Sequence, residues 1–399
     1  MSETAYVTVG TTGVRVSPLC FGAMSFGGDA DYETSAEMFR ACREAGINFF
    51  DTANAYSGGA SEEILGKLIA GSRDDLVITS KAFFPVGPGP NDRGLSRRHL
   101  TRAVEASLAR LGTDRLDFYF VHNFDDSVQI PEVVATLDDL VRTGKIVYPA
   151  VSNWAAWQIA TALGVSAAEG LARFRLIQPM YNLARRQAEV EILPLALAAG
   201  LGVISYSPLG GGLLTGKYGV DKRPSSGRIV DNQLYADRYS QASDFETASR
   251  FAAYAAEAGV APATLAVAWV LGHPAVTAPI IGARNLAQLK DSLAALSFPM
   301  TGDLRAAVSA LSPAPPPATD RTETLKALFP RYPLLGDLGG IFVRRMSVPV
   351  FILLQWGHCG AGSGAFSARY GGHGLTKNGT TRSRTARRRP MVTITRPRS

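Results

Sequence analysis

The sequence predicts an α/β protein built as a single (β/α)8 TIM barrel, and three observations lead to this prediction. Short apolar runs alternate eight times with amphipathic helical stretches between residues 19 and 283. These runs are continuously apolar, which is typical of parallel strands buried on both faces. A doubly wound sheet is the alternative, but no G-x-G-x-x-G pattern follows the first run. A barrel of about 250–330 residues fits within the chain.

The predicted elements follow one another in a regular order. A short hairpin opens the chain, with strands in YVTVG and VRVS and a turn at Thr12-Gly13. The eight barrel strands are predicted at residues 19–24, 48–53, 76–81, 116–122, 146–153, 175–182, 202–209 and 276–283. Helical patterns include residues 35–46, 61–71, 96–112, 131–144, 190–200, 245–259 and 261–272. Several of these helices begin with Ser or Pro and several end in Gly, as helix termini prefer.

Two stretches stand outside this alternation. Residues 209–244 form a long Gly- and Ser-rich insertion before the last strand, and such loops in compact domains are usually functional. Residues 1–311 are the predicted barrel domain, 312–330 a Pro-rich linker-like segment, and 331–399 a basic tail without periodicity. A disordered appendage, such as an out-of-frame or read-through extension, is favoured for this tail over a basic arm for nucleic acid or membranes.

Charge and cysteine usage narrow the class of protein. The net charge is +7, but eleven Lys and Arg residues and no acidic residue follow Asp337, so residues 1–337 carry −4. We therefore expect no nucleic-acid role for the barrel. Cys20, Cys42 and Cys359 lack metal-ligand spacing, which favours a reducing, cytoplasmic compartment and argues against a metal site. The N-terminus lacks an export signal, and no apolar run approaches the roughly 20 residues that span a bilayer.

Four polar residues lie at the ends of three successive predicted strands. Asp51 and Tyr56 follow the second strand, Lys81 ends the third and His122 ends the fourth. Singly, each has an ordinary interpretation: a helix-capping Asp, a loop Tyr, a surface Lys and a core His. Barrel strands, however, bring their carboxyl ends to one face. A phenol with a pKa of about 10 needs a nearby cation to lose its proton near neutral pH, and Lys81 could be that cation.

Five segments, in order along the chain, resemble the aldo-keto reductase family. They are GINFFDTANAYSGGASEEILGKLI (46–69), GKIVYPAVSNW (144–154), QPMYN (178–182), YSPLGGGLLTGKY (206–218) and PIIGARNLAQLKDSLAAL (279–296). The first of them has Asp and Tyr five residues apart before an S-E-x-x-L-G helix, as in that family. The similarity runs from about residue 5 to about residue 310. It implies an NADP-dependent oxidoreductase of the alcohol dehydrogenase or carbonyl reductase type, acting on a small-molecule carbonyl.

The resemblance implies a catalytic role for each of the four polar residues. Tyr56 would be the general acid that protonates the carbonyl oxygen as hydride reaches the carbon. Lys81, paired with Asp51, would lower the pKa of Tyr56 by favouring the phenolate. His122 would hydrogen-bond the substrate oxygen and orient it.

The resemblance also implies a site for NADP(H). Ser152, Asn153 and Gln178 would hold the nicotinamide carboxamide, and Tyr206 would stack on the ring. Arg284 favours NADP over NAD, because a guanidinium can grip the 2′-phosphate bidentately. The other residues carried over to the cofactor site are Met24, Asp51, Ser207, Leu209, Gly211, Lys217, Gly282, Gln288, Asp291 and Ser292.

Some positions depart from the family pattern or imitate another one. Ser292 stands where the family usually has Asn, which removes an amide contact to adenine, and Ala150 replaces the usual Gly before V-S-N. Gly211–Lys217 reads G-x-x-x-x-G-K, but Tyr218 stands where a P-loop needs Ser or Thr. The kinase or ATPase interpretation is therefore rejected, and this loop is expected over the cofactor pyrophosphate.

Two functions and a range of substrates remain open at this point. The leading hypothesis is NADPH-dependent reduction of aldehydes or ketones. The second is an NADP(H)-binding regulatory subunit with little turnover, because some members of the resembled family bind channels. Phe83, Phe84 and Phe124 lie in loops at the predicted mouth and suggest an apolar substrate pocket. The sequence gives no prediction of the oligomeric state.

Overall fold

A computed structural model describes residues 6–319 of the chain. The first two strands, β1 (Val7–Thr8) and β2 (Arg15–Val16), pair antiparallel as the predicted hairpin. Eight further strands follow: β3 (Cys20–Gly22), β4 (Phe49–Asp51), β5 (Val77–Ala82), β6 (Leu116–Val121), β7 (Ile146–Ser152), β8 (Leu176–Gln178), β9 (Gly202–Ser205) and β10 (Ala278–Ile281). All eight run parallel and close into a barrel, in which β10 pairs with both β3 and β9. The predicted (β/α)8 barrel with an N-terminal hairpin is confirmed.

Helices alternate with the strands along the chain. They are α1 (Tyr32–Glu44), α2 (Ala60–Ile69), α3 (Arg97–Leu111), α4 (Ile130–Arg142), α5 (Ala156–Glu169), α6 (Ile192–Ala199), α7 (Arg228–Asp231), α8 (Gln233–Arg238), α9 (Ala242–Glu257), α10 (Pro262–Leu271), α11 (Leu286–Leu293) and α12 (Gly302–Ser309). Asp31 and Ser96 cap α1 and α3 by accepting bonds from backbone N–H groups of the first turn. Gly112 and Gly200 end α3 and α6 in the left-handed conformation. All seven helices marked by sequence patterns are present.

The two-residue period of a strand decides which side chains point into the barrel. Phe50 packs in the layer between strands and helices, whereas Phe49 packs inside the barrel, so Asp51 points inward again. On β5, Thr79 and Lys81 share the inward face for the same reason, and both reach Asp51. The barrel therefore carries its polar groups at the carboxyl end of an otherwise apolar interior.

The N-terminal hairpin covers the amino ends of the strands. Val9 and Val16 are fully buried in the same cluster as the barrel residue Phe118. Gly10 has a φ of +48°, and a Cβ there would lie 2.6 Å from the backbone oxygen of Gly200. A side chain at this position would therefore push the hairpin away from the barrel. The site residues converge at the opposite end.

The insertion 209–244 is more structured than the sequence suggests. It contains a 3₁₀ turn at Gly210–Thr215 as well as α7 and α8. Its side chains form a small core with the start of α9, made of Leu213, Tyr218, Ile229, Tyr239 and Ala248. The prediction of a plain Gly- and Ser-rich loop is thus corrected, because apolar residues scattered through the stretch are close enough in space to bury one another.

The predicted end of the barrel domain at residue 311 stays a prediction. The last helix ends at Ser309, and residues 312–319 contain no helix or strand. The rest of the Pro-rich segment and the basic tail, 331–399, lie outside the described residues. Within the described part, no single helix has the length and apolar character to cross a membrane, and α9 and α10 meet that test only as a pair bent by 103°.

A buried carboxylate ties β5 to the helix layer behind it. Glu62 on α2 is fully buried and accepts the Ser80 hydroxyl at 2.5 Å and Arg110 Nε at 2.7 Å. Ser80 directly precedes Lys81 in the chain. The pair of Glu62 and Arg110 therefore fixes the outer face of the strand that carries the buried lysine.

We expect Glu62→Ala to lower the free energy of unfolding by about 3 kcal/mol, because it leaves the Arg110 guanidinium without its carboxylate in a largely buried position. Glu63→Ala is the matched control, since Glu63 is the next residue of α2 and is exposed. That change should stay within about 0.5 kcal/mol. Urea unfolding measures both. Equal losses in the two variants would contradict a stabilising role for the buried pair.

Candidate active site

Lys81 lies at the centre of the predicted catalytic group and is fully buried. Its Nζ donates to Asp51 Oδ2 at 2.5 Å and to the Thr52 backbone oxygen at 2.7 Å, and lies 3.4 Å from the Tyr56 hydroxyl. Burial lowers the pKa of Lys81, but Asp51 and Tyr56 outweigh burial and raise it above 10.5. The lysine is therefore a cation at neutral pH.

Asp51 is held in one orientation by three side-chain donors. Besides Lys81, the Thr79 hydroxyl donates to Oδ1 at 2.6 Å and Gln178 Nε2 donates to the same oxygen at 3.0 Å. Only 3% of Asp51 is exposed. The carboxylate thus fixes the lysine ammonium. Thr79 was not among the predicted site residues, although its position two residues before Lys81 on one strand places it on the same face.

Tyr56 begins a 3₁₀ turn that connects β4 to α2. Ser57, Gly58 and Gly59 all adopt left-handed conformations, with φ of 49°, 63° and 103°. This sharp turn leaves the half-buried Tyr56 ring against Lys81, whose Nζ lies 4.9 Å from the ring centroid. Tyr56 and Lys81 are 25 positions apart in the sequence and are direct neighbours in the structure, as predicted.

The pKa of Tyr56 reflects the opposing effects of burial, the Lys81 cation and the Asp51 carboxylate. Burial raises the pKa, Lys81 lowers it, Asp51 raises it, and the net result is a pKa above the ordinary value of 10.0. Lys81 acts in the expected direction, but its effect is smaller than that of burial. The lowering expected from Lys81 is therefore present, but burial, which cannot be judged from the sequence, outweighs it. Tyr56 is a protonated phenol at neutral pH.

His122 directly follows β6. Its side chain is almost completely buried, and its imidazole is neutral. Burial and then the Lys81 cation lower its pKa well below 6.5. Its buried Nδ1 has no hydrogen-bond partner in the described part of the chain. The imidazole meets the Tyr56 ring edge-on, with 5.8 Å between centroids, and the Phe84 ring edge-on at 4.8 Å. A neutral imidazole offers one donor and one acceptor, so His122 can orient an oxygen without adding charge.

Backbone strain marks the same face of the barrel independently. Within residues 6–319, the non-glycine residues with positive φ are Ser57, Asn153 and Ser207, at 49°, 59° and 58°. Asn153 directly follows β7, Ser207 follows β9 by two residues, and Ser57 lies in the turn after β4. Such conformations cost on the order of 1–3 kcal/mol and tend to cluster at functional sites. The strain therefore supports a functional role for this mouth without reference to any family.

The residues predicted to hold the nicotinamide lie together at the ends of β7, β8 and β9. Ser152 donates to the backbone oxygen of Gln178 at 2.9 Å. Asn153 donates to the backbone oxygen of His122 at 2.9 Å and accepts the Tyr206 hydroxyl at 2.8 Å. Burial raises the pKa of Tyr206 to about 12, so its hydroxyl remains a donor. The amide groups and the aromatic ring are thus fixed against one another beside the catalytic group.

The Gly-rich loop after β9 holds the next predicted residues. Gly210, Gly211 and Gly212 have φ of 59°, 66° and 100°. A Cβ on Gly211 would lie 2.7 Å from the ring of Tyr235, so α8 packs directly on this loop. Lys217 is exposed nearby, and the chain after it forms turns rather than a helix. This is consistent with the rejection of a P-loop.

The residues predicted for the adenosine end differ in their accessibility. Arg284 Nε lies 3.0 Å from Asp29 Oδ2, and its backbone N–H donates to Gln288 Oε1 at 3.2 Å. A Cβ on Gly282 would meet nothing closer than 3.7 Å, and Asp291 is exposed.

The remaining predicted residues differ in their exposure. Met24 is exposed after β3, Ser207 and Leu209 are half-buried, and Ser292 is fully buried. Because its side chain is fully buried, Ser292 is not among the predicted residues that a cofactor could reach.

The side chains at this mouth suit a nicotinamide dinucleotide. Amides, hydroxyls and a Tyr ring lie near the predicted catalytic group. Glycines in the left-handed conformation lie in the loop after β9, and the Arg284 guanidinium follows β10. Sequence patterns did not mark Asp29 or Tyr235. Both lie in stretches without clear periodicity, and their contacts are made to residues distant in sequence. Among residues 6–319, no cluster of three or more His, Cys, Asp or Glu side chains is placed to hold a metal ion.

Comparison with known proteins agrees with this geometry. The model of the Aldo/keto reductase family matches residues 18–312. The chain belongs to this family. A protein of Arabidopsis thaliana named "Probable voltage-gated potassium channel subunit beta" is 38% identical over 298 residues, 73% of this chain and 90% of that protein. A protein of Bacillus subtilis named as an uncharacterized oxidoreductase is 35% identical, over 78% of this chain and 96% of its own.

A third relative has a named reaction. Norsolorinic acid reductase of Emericella nidulans is 34% identical over 306 residues, 73% of this chain and 77% of the reductase. Membership of the family supports oxidoreductase activity on small-molecule carbonyl compounds with a nicotinamide cofactor, NAD(P)H. These relatives thus include one named as a reductase, one named as an oxidoreductase and one named as a probable channel subunit.

We expect the His122 imidazole to stay neutral from about pH 8 to about pH 6, since its pKa is lowered well below the ordinary range. Nitrogen NMR of the imidazole measures this. Because the unfolded chain binds a proton on this imidazole near pH 6.5 and the folded protein does not, the unfolding free energy is highest above pH 6.5 and decreases as the pH falls below it. His122→Asn should therefore flatten the dependence of the unfolding free energy on pH below about pH 6.5. An imidazole that titrates near 6.5 in the folded protein would contradict the description.

Proposed function

We propose that this protein is an NADPH-dependent carbonyl reductase that converts aldehydes or ketones to alcohols. The observation that supports the proposal most strongly is the contact between a protonated Tyr56 and the Lys81 cation. The hydroxyl lies 3.4 Å from Nζ, at the mouth where the strained backbone and the amide groups also lie. A proton donor next to a fixed cation is the arrangement that protonation of a carbonyl oxygen needs.

The chain's own residues provide orientation and a proton. When bound, NADPH supplies the hydride for the carbonyl carbon. His122 donates a hydrogen bond to the carbonyl oxygen and turns it toward Tyr56. Tyr56 then gives its phenolic proton to that oxygen. Lys81 stabilises the phenolate that remains, and Asp51 keeps the ammonium in place, so the charge that develops meets a group already oriented for it.

The proposed cofactor residues divide between the two ends of the dinucleotide. Ser152, Asn153, Gln178 and Tyr206 would hold the nicotinamide end through amide groups and ring stacking. At the other end, the proposal of NADP rather than NAD depends on Arg284, whose guanidinium is 37% exposed and can meet a 2′-phosphate. A cytoplasmic location also remains a proposal. It is supported by Cys20 and Cys42, which are free thiols in the described part of the chain.

Aromatic side chains near His122 support an apolar carbonyl as substrate. Phe84 is 40% exposed although its ring packs against His122 and Phe83. Phe124 meets Trp154 edge-on, with 5.0 Å between centroids, and approaches Trp157 at 6.3 Å. Phe84 thus offers apolar area beside the oxygen-orienting imidazole.

Tyr56→Phe should lower kcat for reduction of a small aldehyde by about 100- to 10,000-fold, because it removes the general acid. Binding of NADPH, followed by protein fluorescence, should change less than about twofold because the phenolic hydroxyl is not among the proposed cofactor contacts. Tyr32→Phe, at the exposed start of α1, is the control and should leave both quantities unchanged. Retention of full activity in Tyr56→Phe would rule out the proposed acid.

Arg284→Gln should raise the Kd for NADPH about 10- to 100-fold, because it removes a charge-assisted contact to the 2′-phosphate. The Kd for NADH should change less than about twofold, since NADH lacks that phosphate. Fluorescence titration of the purified protein measures both constants. Equal weakening of the two nucleotides would contradict the proposed phosphate contact.

A regulatory subunit is the second candidate, favoured by the relatives named as channel subunits in Arabidopsis thaliana and Oryza sativa. In that case the protein binds NADPH but turns over slowly. Affinity purification from membranes would then recover a channel protein in stoichiometric amount. Rapid multiple turnover with a carbonyl substrate and no such partner would favour the reductase.

A further inference from the structure

A single carboxylate joins three segments at the adenosine end of the site. Asp29, in the loop between β3 and α1, lies 3.0 Å from Arg284 Nε and 3.6 Å from Arg228 Nη2. Both arginines approach the same oxygen, Oδ2. Arg284 follows β10 and Arg228 belongs to α7 in the insertion. The Asp29 side chain is 46% exposed, so these ion pairs lie at the surface of the mouth.

We propose that Asp29 competes with the phosphate of the cofactor for Arg284, and thereby sets how strongly the site prefers NADPH to NADH. This inference rests on the proposed role of Arg284. In the protein without nucleotide, the carboxylate occupies the guanidinium that a 2′-phosphate needs. Binding of NADPH must displace it, whereas NADH leaves the ion pair in place.

The backbone holds Asp29 where this competition can occur. The loop is closed by hydrogen bonds from Gly27 N–H to the Ala30 oxygen at 2.8 Å and from Gly28 N–H to the Ser25 oxygen at 3.2 Å. The buried Ser25 hydroxyl donates to the backbone oxygen of Ala283 at 2.7 Å. Since Ala283 precedes Arg284, the two partners of the ion pair lie on segments that are bonded to each other.

The two arginines are placed differently. Arg284 is fixed through its backbone bond to Gln288, but its guanidinium is 37% exposed and can turn from a carboxylate to a phosphate. Arg228 has a second partner, because its guanidinium also lies 5.3 Å from the Tyr235 ring centroid. Loss of Asp29 therefore frees Arg284 for a new anion while Arg228 keeps an aromatic contact.

Charge decides the direction of the effect. A phosphate monoester carries about −1.5 to −2 charges at pH 7 and three acceptor oxygens, so it displaces a single carboxylate from a guanidinium. The displaced Asp29 then remains close to the phosphate and repels it. Both effects weaken NADPH binding and neither acts on NADH. Neutralising Asp29 should therefore tighten NADPH alone.

The test is a titration of the full-length protein with NADPH and with NADH, followed by protein fluorescence at fixed ionic strength. Adenosine 2′-monophosphate, titrated by calorimetry, is the third probe, because it carries the phosphate without the nicotinamide. Asp29→Asn should lower the Kd for NADPH and for the monophosphate about three- to fivefold, as expected for a partly exposed ion pair. The Kd for NADH should stay constant within error.

Two controls separate local competition from general charge. Asp221→Asn removes the same charge from an exposed position in the insertion and should leave the preference unchanged. In the Arg284→Gln background, Asp29→Asn should give a smaller gain than in the wild-type protein, because Arg284 is no longer there to be released and only the repulsion between the carboxylate and the phosphate is relieved.

An unchanged or weakened affinity for NADPH in Asp29→Asn, while Arg284→Gln alone weakens it, would overturn the inference and leave the proposed function intact. Failure of the proposed function gives a different result, in which the wild-type protein binds neither nucleotide or Arg284→Gln has no effect on NADPH. That result would overturn both.

Discussion

The buried ion pair of Lys81 and Asp51 is the interaction on which the site depends. Two charges inside a barrel lose their hydration, and the loss is acceptable only when every donor and acceptor is satisfied. Thr79, Gln178 and the Thr52 carbonyl meet that need from three directions. Removing either charge would strand the other in an apolar interior. The two charges therefore depend on each other, and the Lys81 ammonium lies 3.4 Å from the Tyr56 hydroxyl.

The fold and the proximity of the four polar residues could be predicted from the sequence because their signals are local. Continuous apolar runs mark buried parallel strands, and residues at strand ends meet at one face of a barrel whatever the loops between them do. Asp51, Lys81 and His122 each end a strand, and Tyr56 follows one closely. Their proximity thus follows from topology alone.

The features that escaped prediction depend on contacts between distant segments. The raised pKa of Tyr56 follows from burial, which the sequence does not state. The ion pair of Asp29 and Arg284 joins residues from opposite ends of the barrel sequence. The insertion 209–244 forms its own small core from apolar residues that show no helical or strand periodicity. The loop that carries Asp29 also touches the catalytic turn, since a Cβ on Gly28 would lie 2.8 Å from Ser57 Oγ. The proposed phosphate contact and the proposed catalytic residues therefore lie on adjoining loops.

Lys81 offsets part of the effect of burial on the pKa of the protonated Tyr56. Carbon NMR of the Tyr56 ring across a pH titration, in the wild-type protein and in Lys81→Met, tests it most directly. We expect a wild-type pKa above the ordinary 10.0 and a further rise in the variant, where burial and Asp51 act without the cation. A wild-type pKa below 10.0, or a fall in the variant, would contradict it.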